Sequence, residues 1–360
     1  MLHSELNYQQ QSLQGVSRTF ALTIPQLPNP LQIVVGNAYL LCRIADTIED
    51  DPELDSIQKT QFSQQFIAVV KGHYSPEKFA QSLAPQLASQ TLAAEKDLIR
   101  HTASVIRVTR SFDAPQQQAL LRCVRIMSEG MAAFQRQRRP DGLADMQALD
   151  AYCYCVAGVV GEMLASLFCY HNPAIAIHEK TLQKLSVSFG QGLQMVNILK
   201  DIQTDQQRGV CWLPRSVFSA VGFDLKQLTK QCYQPAFDEG LEVLIATCRE
   251  HLNDALRYIL LIPVQETGIR RFCLWALGMA VLTLRKIDRH RRKQQGFYLA
   301  QDVKISRNSV RATILLTNSF TRSDRALQFL FQQWTRSLPG KAMSENTIEQ
   351  GASQCEQPSE

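Results

Sequence analysis

Apolar residues recur at three- and four-residue spacing along almost the whole chain, a period that predicts helices. The stretches that carry it are 31–50, 56–71, 77–94, 95–110, 115–138, 148–170, 179–205, 240–262, 267–293 and 307–335. Alternating runs bounded by glycine or Asn-Gly turns are nearly missing, so no sheet is expected. Helix breakers fall between these stretches or in their first turns: Pro25 to Pro30, Pro52, Pro76, Pro115, Pro140, Pro173, Pro214 and Pro263. The stretches 148–170 and 267–285 are apolar on more than one face, which suits helices in the middle of a bundle. With no internal repeat and no Pro/Ser-rich linker, the pattern predicts one all-α domain over residues 1–338. The polar segment 339–360 lacks a core pattern and is expected to be disordered.

Composition changes this picture little. An apolar share of 45% and a charged share of 20% are those of a globular protein. The net charge of +5 is mild, and no basic arm or aromatic-basic repeat suggests a nucleic-acid partner. It suits an acidic substrate such as a phosphate ester. Ten cysteines are scattered without a CxxC pair behind a polar N-terminus, "MLHSELNYQQQ". Reduced thiols in a cytoplasmic protein are therefore expected. The longest apolar run, "FCLWALGMAVLTL" at 272–284, is shorter than the roughly 20 residues of a bilayer span. It is expected to be a buried helix, so no transmembrane anchor is expected.

Two acidic constellations stand out. In "RIADTIEDD" (43–51), Asp46, Glu49 and Asp50 share one helical face, with Arg43 on the same stripe and Asp51 off it. Like charges at that spacing repel, and they crowd a helix C-terminus before Pro52, where the dipole disfavours anions. In "QMVNILKDIQTDQQRG", Asn197, Asp201 and Asp205 recur every four residues, with Gln194 three before Asn197. Each stripe alone suits a solvated helix face. Two of them, each following an apolar helix, suit an oxygen-rich site for Mg²⁺, which takes one or two carboxylates plus substrate phosphates.

Four ordered motifs then resemble the squalene/phytoene synthase family. They are "VSRTFALTI" (16–24), "YLLCRIADTIEDD" (39–51), "YCYCVAGVVGEML" (152–164) and "NILKDIQTDQQRGVCWLP" (197–214). "RFCLWALGMAVLTL" and "DVKISRNSVRATI" are similar to segments of the squalene-forming members. The resemblance implies the all-α isoprenoid synthase fold and head-to-head joining of two prenyl diphosphates. It implies Mg²⁺, with Mn²⁺ as a substitute, on Asp46, Glu49, Asp50, Asn197, Asp201 and Asp205. Diphosphate contacts are implied for Arg18, Arg43 and Lys200, and Ser17, Gln194 and Arg208 are expected to bind substrate as well. Tyr152 matches a tyrosine of the first half-reaction, and Phe20 and Phe272 belong to the implied pocket. NADPH is implied as reductant of a farnesyl-derived product, with Lys304 and Arg307 as its contacts.

Some positions depart from the family's pattern. Thr204 stands where an acidic residue is common, which subtracts a carboxylate. Lys200 replaces the usual arginine, keeping the charge and losing the bidentate fork. Glu162 resembles the phytoene-synthase form of the central motif.

The remaining residues suit the chemistry of an allylic cation, which needs a dry wall that cannot attack it. Val156, Ala157, Gly158 and Gly161 would let an isoprenoid lie close to a helix backbone; tight helix packing explains the small residues equally well. Tyr152 and Phe20 would place aromatic faces near cationic carbon, or fill the core. The basic stretch 285–295 suits a solvated helix end, an anion contact or a membrane surface. The functional alternatives are a synthase that stops at dehydrosqualene, phytoene or the cyclopropyl intermediate presqualene diphosphate, and a prenyl-binding helical protein without catalysis. Peripheral membrane contact is compatible with each.

Overall fold

The computed structural model describes residues 2–17, 19–136, 140–228, 234–293 and 305–340. Within them the chain is helical, and the sole β-type pairing is an isolated bridge between Leu143 and Pro214. The helices used below are α1 (Leu2–Val16), α2 (Asn29–Asp50), α3 (Ser56–Lys71), α4 (Pro76–Leu83), α5 (Ala93–Arg100), α6 (Thr102–Thr109) and α7 (Ala114–Arg136). They continue with α8 (Met146–Cys153), α9 (Val159–His171), α10 (Glu179–Gln207), α11 (Pro235–Leu260), α12 (Thr267–Arg292), α13 (Arg307–Phe320) and α14 (Asp324–Thr335). A π-helical turn, Tyr154–Gly158, joins α8 to α9.

The chain divides into two compact units whose segments interleave. The first comprises residues 1–137, 155–187 and 261–273, and the second 138–154, 188–260 and 274–360. In the first unit α2 buries Leu31, Val34, Ala38, Leu41, Ile44, Ala45 and Ile48, so it is covered on several faces. Pro28 and Pro30 open it, and Pro52 prevents its continuation. Its one amide at the centre, Asn37, is fully buried and satisfied. Asn37 Nδ2 donates to Val105 O (3.0 Å) and its Oδ1 accepts from Thr109 Oγ1 (2.7 Å), which pins α2 to α6.

Helix α1 lies outside the apolar pattern, and its docking shows why. It buries Leu13 and Val16 near its C-terminal end, and its earlier turns attach through polar side chains: Glu5 to Arg107 (2.8 Å), Tyr8 OH to Asp97 Oδ2 (2.9 Å) and Gln9 Nε2 to Ile33 O (2.9 Å). The expected helix 95–110 breaks at His101 into α5 and α6, and 307–335 breaks at residues 321–323, where Ser323 caps α14 through Ala326 N.

Three helical stretches are long and apolar enough to cross a membrane by length and composition: Asn29–Asp50, Met146–His171 and Thr267–Arg292. The run 272–284 is thus part of a longer apolar helix than its uninterrupted stretch suggests. In the folded chain, half or more of each is buried inside protein. The eight cysteines among the described residues are free thiols, seven of them buried.

Candidate active site

The first acidic face is built on the C-terminal half of α2. Asp46 and Glu49 are half-buried, and Asp50 is exposed. Burial pushes the Asp46 carboxyl up to about 7, against the pull of Arg43 and with the repulsion of Asp50 and Glu95. Burial likewise pushes Glu49 up to about 8, helped by Asp50 and opposed by a hydrogen bond from Gln135 Nε2. Arg43 pulls Asp46 down and Lys59 pulls Glu49 down, but burial outweighs both. Arg43 bonds the Tyr39 hydroxyl (2.9 Å) and pairs with Glu95 (3.5 Å). Burial works against its charge, but Asp46, Tyr39 and Glu95 more than restore it. Lys59 reaches across from α3 and donates to the backbone carbonyl of Glu49, which satisfies one open carbonyl of the helix end.

The N-terminal motif meets the same helix. Ser17 Oγ accepts from Phe20 N (2.9 Å) and starts a short helical turn, and Phe20 packs on Tyr39 with ring centroids 5.0 Å apart. Arg18 lies outside the described residues. Tyr39 thus connects Phe20 to Arg43, a role that its position four residues before Arg43 could have signalled. Glu95, Lys59 and Gln135 come from other helices, and nothing in the sequence near the motif points to them.

Asp51 has a separate task. It is 2% exposed, and its carboxylate accepts from Glu53 N (3.0 Å), Ala88 N (3.0 Å) and Thr91 Oγ1 (2.6 Å). It fastens the end of α2 to the 88–91 loop, facing away from Asp46 and Asp50 as the helical register expects. Asp51→Ala would leave buried donors unpaired, at a cost of about 2–4 kcal/mol. Urea unfolding checks this, and a loss below about 1 kcal/mol would contradict the clamp.

The second acidic face lies on α10 in the other unit. Gln194 is half-buried and Asn197 exposed. Lys200 Nζ bonds Asn197 Oδ1 (3.4 Å) and pairs with Asp201 (3.0 Å), so these three side chains share one face. Asp205 is half-buried, and its carbonyl accepts from Arg208 N and Val210 N as α10 ends at Gly209, whose φ is +69°. Arg208 and Thr204 are exposed there. Among the described residues no three acidic, histidine or cysteine side chains converge as a preformed metal cage. Each face offers carboxylates on one helix only, a donor set that suits a hard cation which draws its other ligands from water and substrate phosphate.

The central motif falls on the π-turn. Val156 and Ala157 are half-buried and Gly158 is buried. Tyr152, on α8, is 6% exposed and stacks on Trp212 at 3.9 Å and 10°. Gly161 serves a packing need: a Cβ there would lie 2.1 Å from Ser186 O, so α9 and α10 cross backbone to backbone. Glu162 pairs with Arg122 (2.6 Å). Phe272 is buried edge-on against Phe168, with centroids 6.2 Å apart. Arg307 is exposed at the first residue of α13, and Lys304 lies outside the described residues. Part of the basic stretch 285–295 is engaged internally: Arg291 and Arg292 pair with buried Asp288, and Arg291 also pairs with Glu242.

A family profile described as squalene/phytoene synthase matches residues 13–309. The squalene synthase of Gibberella zeae is 26% identical over 337 residues, covering 90% of this chain and 66% of its own length. The chain therefore spans about two thirds of that relative. Among solved structures, TcSQS in complex with a ligand superposes with a TM-score of 0.77 at 21% identity, covering 97% of this chain and 96% of the other. A dehydrosqualene synthase in complex with a ligand superposes at 0.63 and 20% identity, covering 89% and 98%. At those identities the likeness is one of fold: the expected all-α isoprenoid synthase architecture is the one observed.

Proposed function

The chain belongs to the squalene/phytoene synthase family, and from that premise we propose that it couples two farnesyl diphosphates head to head and, with NADPH, reduces the presqualene diphosphate so formed to squalene. The observation that supports this reading is the acidic face of α2, where burial holds Asp46 and Glu49 above the ordinary carboxylate range beside Asp50. Such a face costs stability unless a cation joins it. In this proposal residues 1–338 act as one catalytic domain, and both acidic faces serve the same class of substrate.

Mg²⁺ would be held by Asp46, Glu49 and Asp50 and by Asn197, Asp201 and Asp205, and when bound it neutralises the charge of a departing diphosphate. NADPH supplies hydride, with Lys304 and Arg307 as proposed contacts. The chain's own groups do the rest. Arg43 is held by Tyr39 and Glu95 and is therefore aimed before substrate arrives. Lys200, braced between Asn197 and Asp201, presents a second cation of compact charge to diphosphate oxygens. Tyr152 is fixed flat against Trp212, so its phenol is oriented by packing and keeps one direction through the reaction. Val156, Ala157 and Gly158 are the proposed apolar wall, on a π-turn of the kind that recurs at functional sites.

Incubation with farnesyl diphosphate and Mg²⁺, with and without NADPH, tests the reading by product analysis. Squalene formed only with NADPH is expected. Dehydrosqualene formed regardless of NADPH would remove the reductive step, and no diphosphate release would leave a prenyl-binding protein.

A further inference from the structure

The polarity of α13 is inverted relative to a surface helix. It buries Thr313 and Thr317, with Thr321 just past its end, at 2%, 1% and 1% exposure, while Leu315 and Leu316 stand 68% and 41% exposed. A helix on a wetted surface normally turns its leucines inward. Each buried threonine hydroxyl is satisfied by its own helix, bonding Ser309 O (2.9 Å), Thr313 O (2.8 Å) and Thr317 O (2.7 Å) respectively. The orientation is fixed from the polar side. Thr313 packs over Gly278 of α12, where a Cβ would lie 2.5 Å from Thr313 Cγ2, and Trp275 Nε1 donates to Asn318 Oδ1 (3.1 Å). The leucines are thus held outward by the way α13 is fastened.

Helix α14 turns its apolar residues inward in the ordinary way but adds one exposed aromatic. It buries Leu327, Phe331 and Thr335 and leaves Phe329 63% exposed. On both helices an arginine precedes the exposed apolar residue by four positions, Arg311 before Leu315 and Arg325 before Phe329, which places the pair on one stripe. Residues 307–336 contain five arginines and one acid, Asp324, a net +4 in a chain of net +5. Arg311, Arg322, Arg325 and Arg336 are exposed and form no ion pair among the described residues, unlike Arg291 and Arg292.

We propose that the outer face of α13 and α14 docks on an anionic lipid surface. Guanidinium groups one turn from isolated apolar side chains suit headgroup phosphates above an acyl boundary, with the long arginine stems lying along it. A second protein chain suits the face less well. Three exposed apolar side chains amount to an area on the order of 400 Å², about half of what one partner of a stable interface contributes.

Co-sedimentation of the full chain with phosphatidylcholine vesicles, with and without phosphatidylglycerol, tests the proposal. Binding is expected only where phosphatidylglycerol is present. It should fall by about tenfold or more in the triple variant Leu315→Ser, Leu316→Ser, Phe329→Ser and in the double variant Arg311→Glu, Arg325→Glu. Helical circular dichroism and lipid-free turnover should stay unchanged in both. Three results would overturn the proposal: equal vesicle binding by the variants, no binding of the parent chain to either vesicle, or a dimer of the parent chain that the triple variant loses.

Discussion

Asp46→Asn is expected to lower turnover by about a thousandfold or more while leaving the metal-free protein at least as stable as before. The two effects have one cause. Burial and the neighbouring acids raise the folded-state value of Asp46 to about 7, against about 3.9 in an unfolded chain. Between those values the folded protein binds more protons than the unfolded one, so the stability of the metal-free form falls as pH rises through about 4 to 7. Glu49, held at about 8, extends the fall to about that pH. Asparagine carries no charge to be penalised. It should therefore flatten part of this slope and gain roughly 1 kcal/mol at pH 8, a figure reduced for solvent screening because the side chain is half-buried. Saturating Mg²⁺ should flatten the slope of the parent chain in the same way, because a divalent cation favours the ionised carboxylates. Turnover within a few-fold of the parent would remove Asp46 from the metal set. A marked loss of metal-free stability would make it a structural residue like Asp51.

Gly161→Ala should act in the opposite way, through the fold. Alanine is the better helix former by about 1 kcal/mol, so an exposed or loosely packed site would be stabilised by the change. At Gly161 the added Cβ would lie 2.1 Å from Ser186 O and 2.8 Å from Ser186 C. Both are backbone atoms of α10 and cannot rotate away. The helices must separate, at a cost of about 3 kcal/mol or more. Thermal unfolding should show a melting temperature lower by several degrees. A variant of unchanged stability that has lost only substrate affinity would instead assign Gly161 to the prenyl wall.

These two residues also mark how much of the candidate site is legible in the sequence. The acidic faces were visible because a helical period turns residue number into direction, and Asp46, Glu49 and Asp50 fall together on α2 as that period requires. Asp51 was correctly set apart by the same register, but its clamp on Ala88 and Thr91 depends on a loop almost forty positions away. Gly161 had two readings of equal standing in the sequence, and the position of Ser186 O gives it a packing duty that spacing could not reveal. Helix α1 is not legible in the apolar pattern because most of its docking uses Glu5, Tyr8 and Gln9, with apolar burial confined to Leu13 and Val16. The breaks at His101 and at residues 321–323 carry neither glycine nor proline, so the pattern runs through them without a signal. Phe272 packs edge-on against Phe168, and an apolar aromatic looks the same in sequence whatever it packs against.

Release of inorganic diphosphate from farnesyl diphosphate is the most direct check on metal-assisted ionisation by the two acidic faces. Release is expected with Mg²⁺, none after chelation, and none in Asp46→Asn or Asp205→Asn chains that keep their helical circular dichroism. Release that persists after chelation, or in either variant, would contradict the assignment.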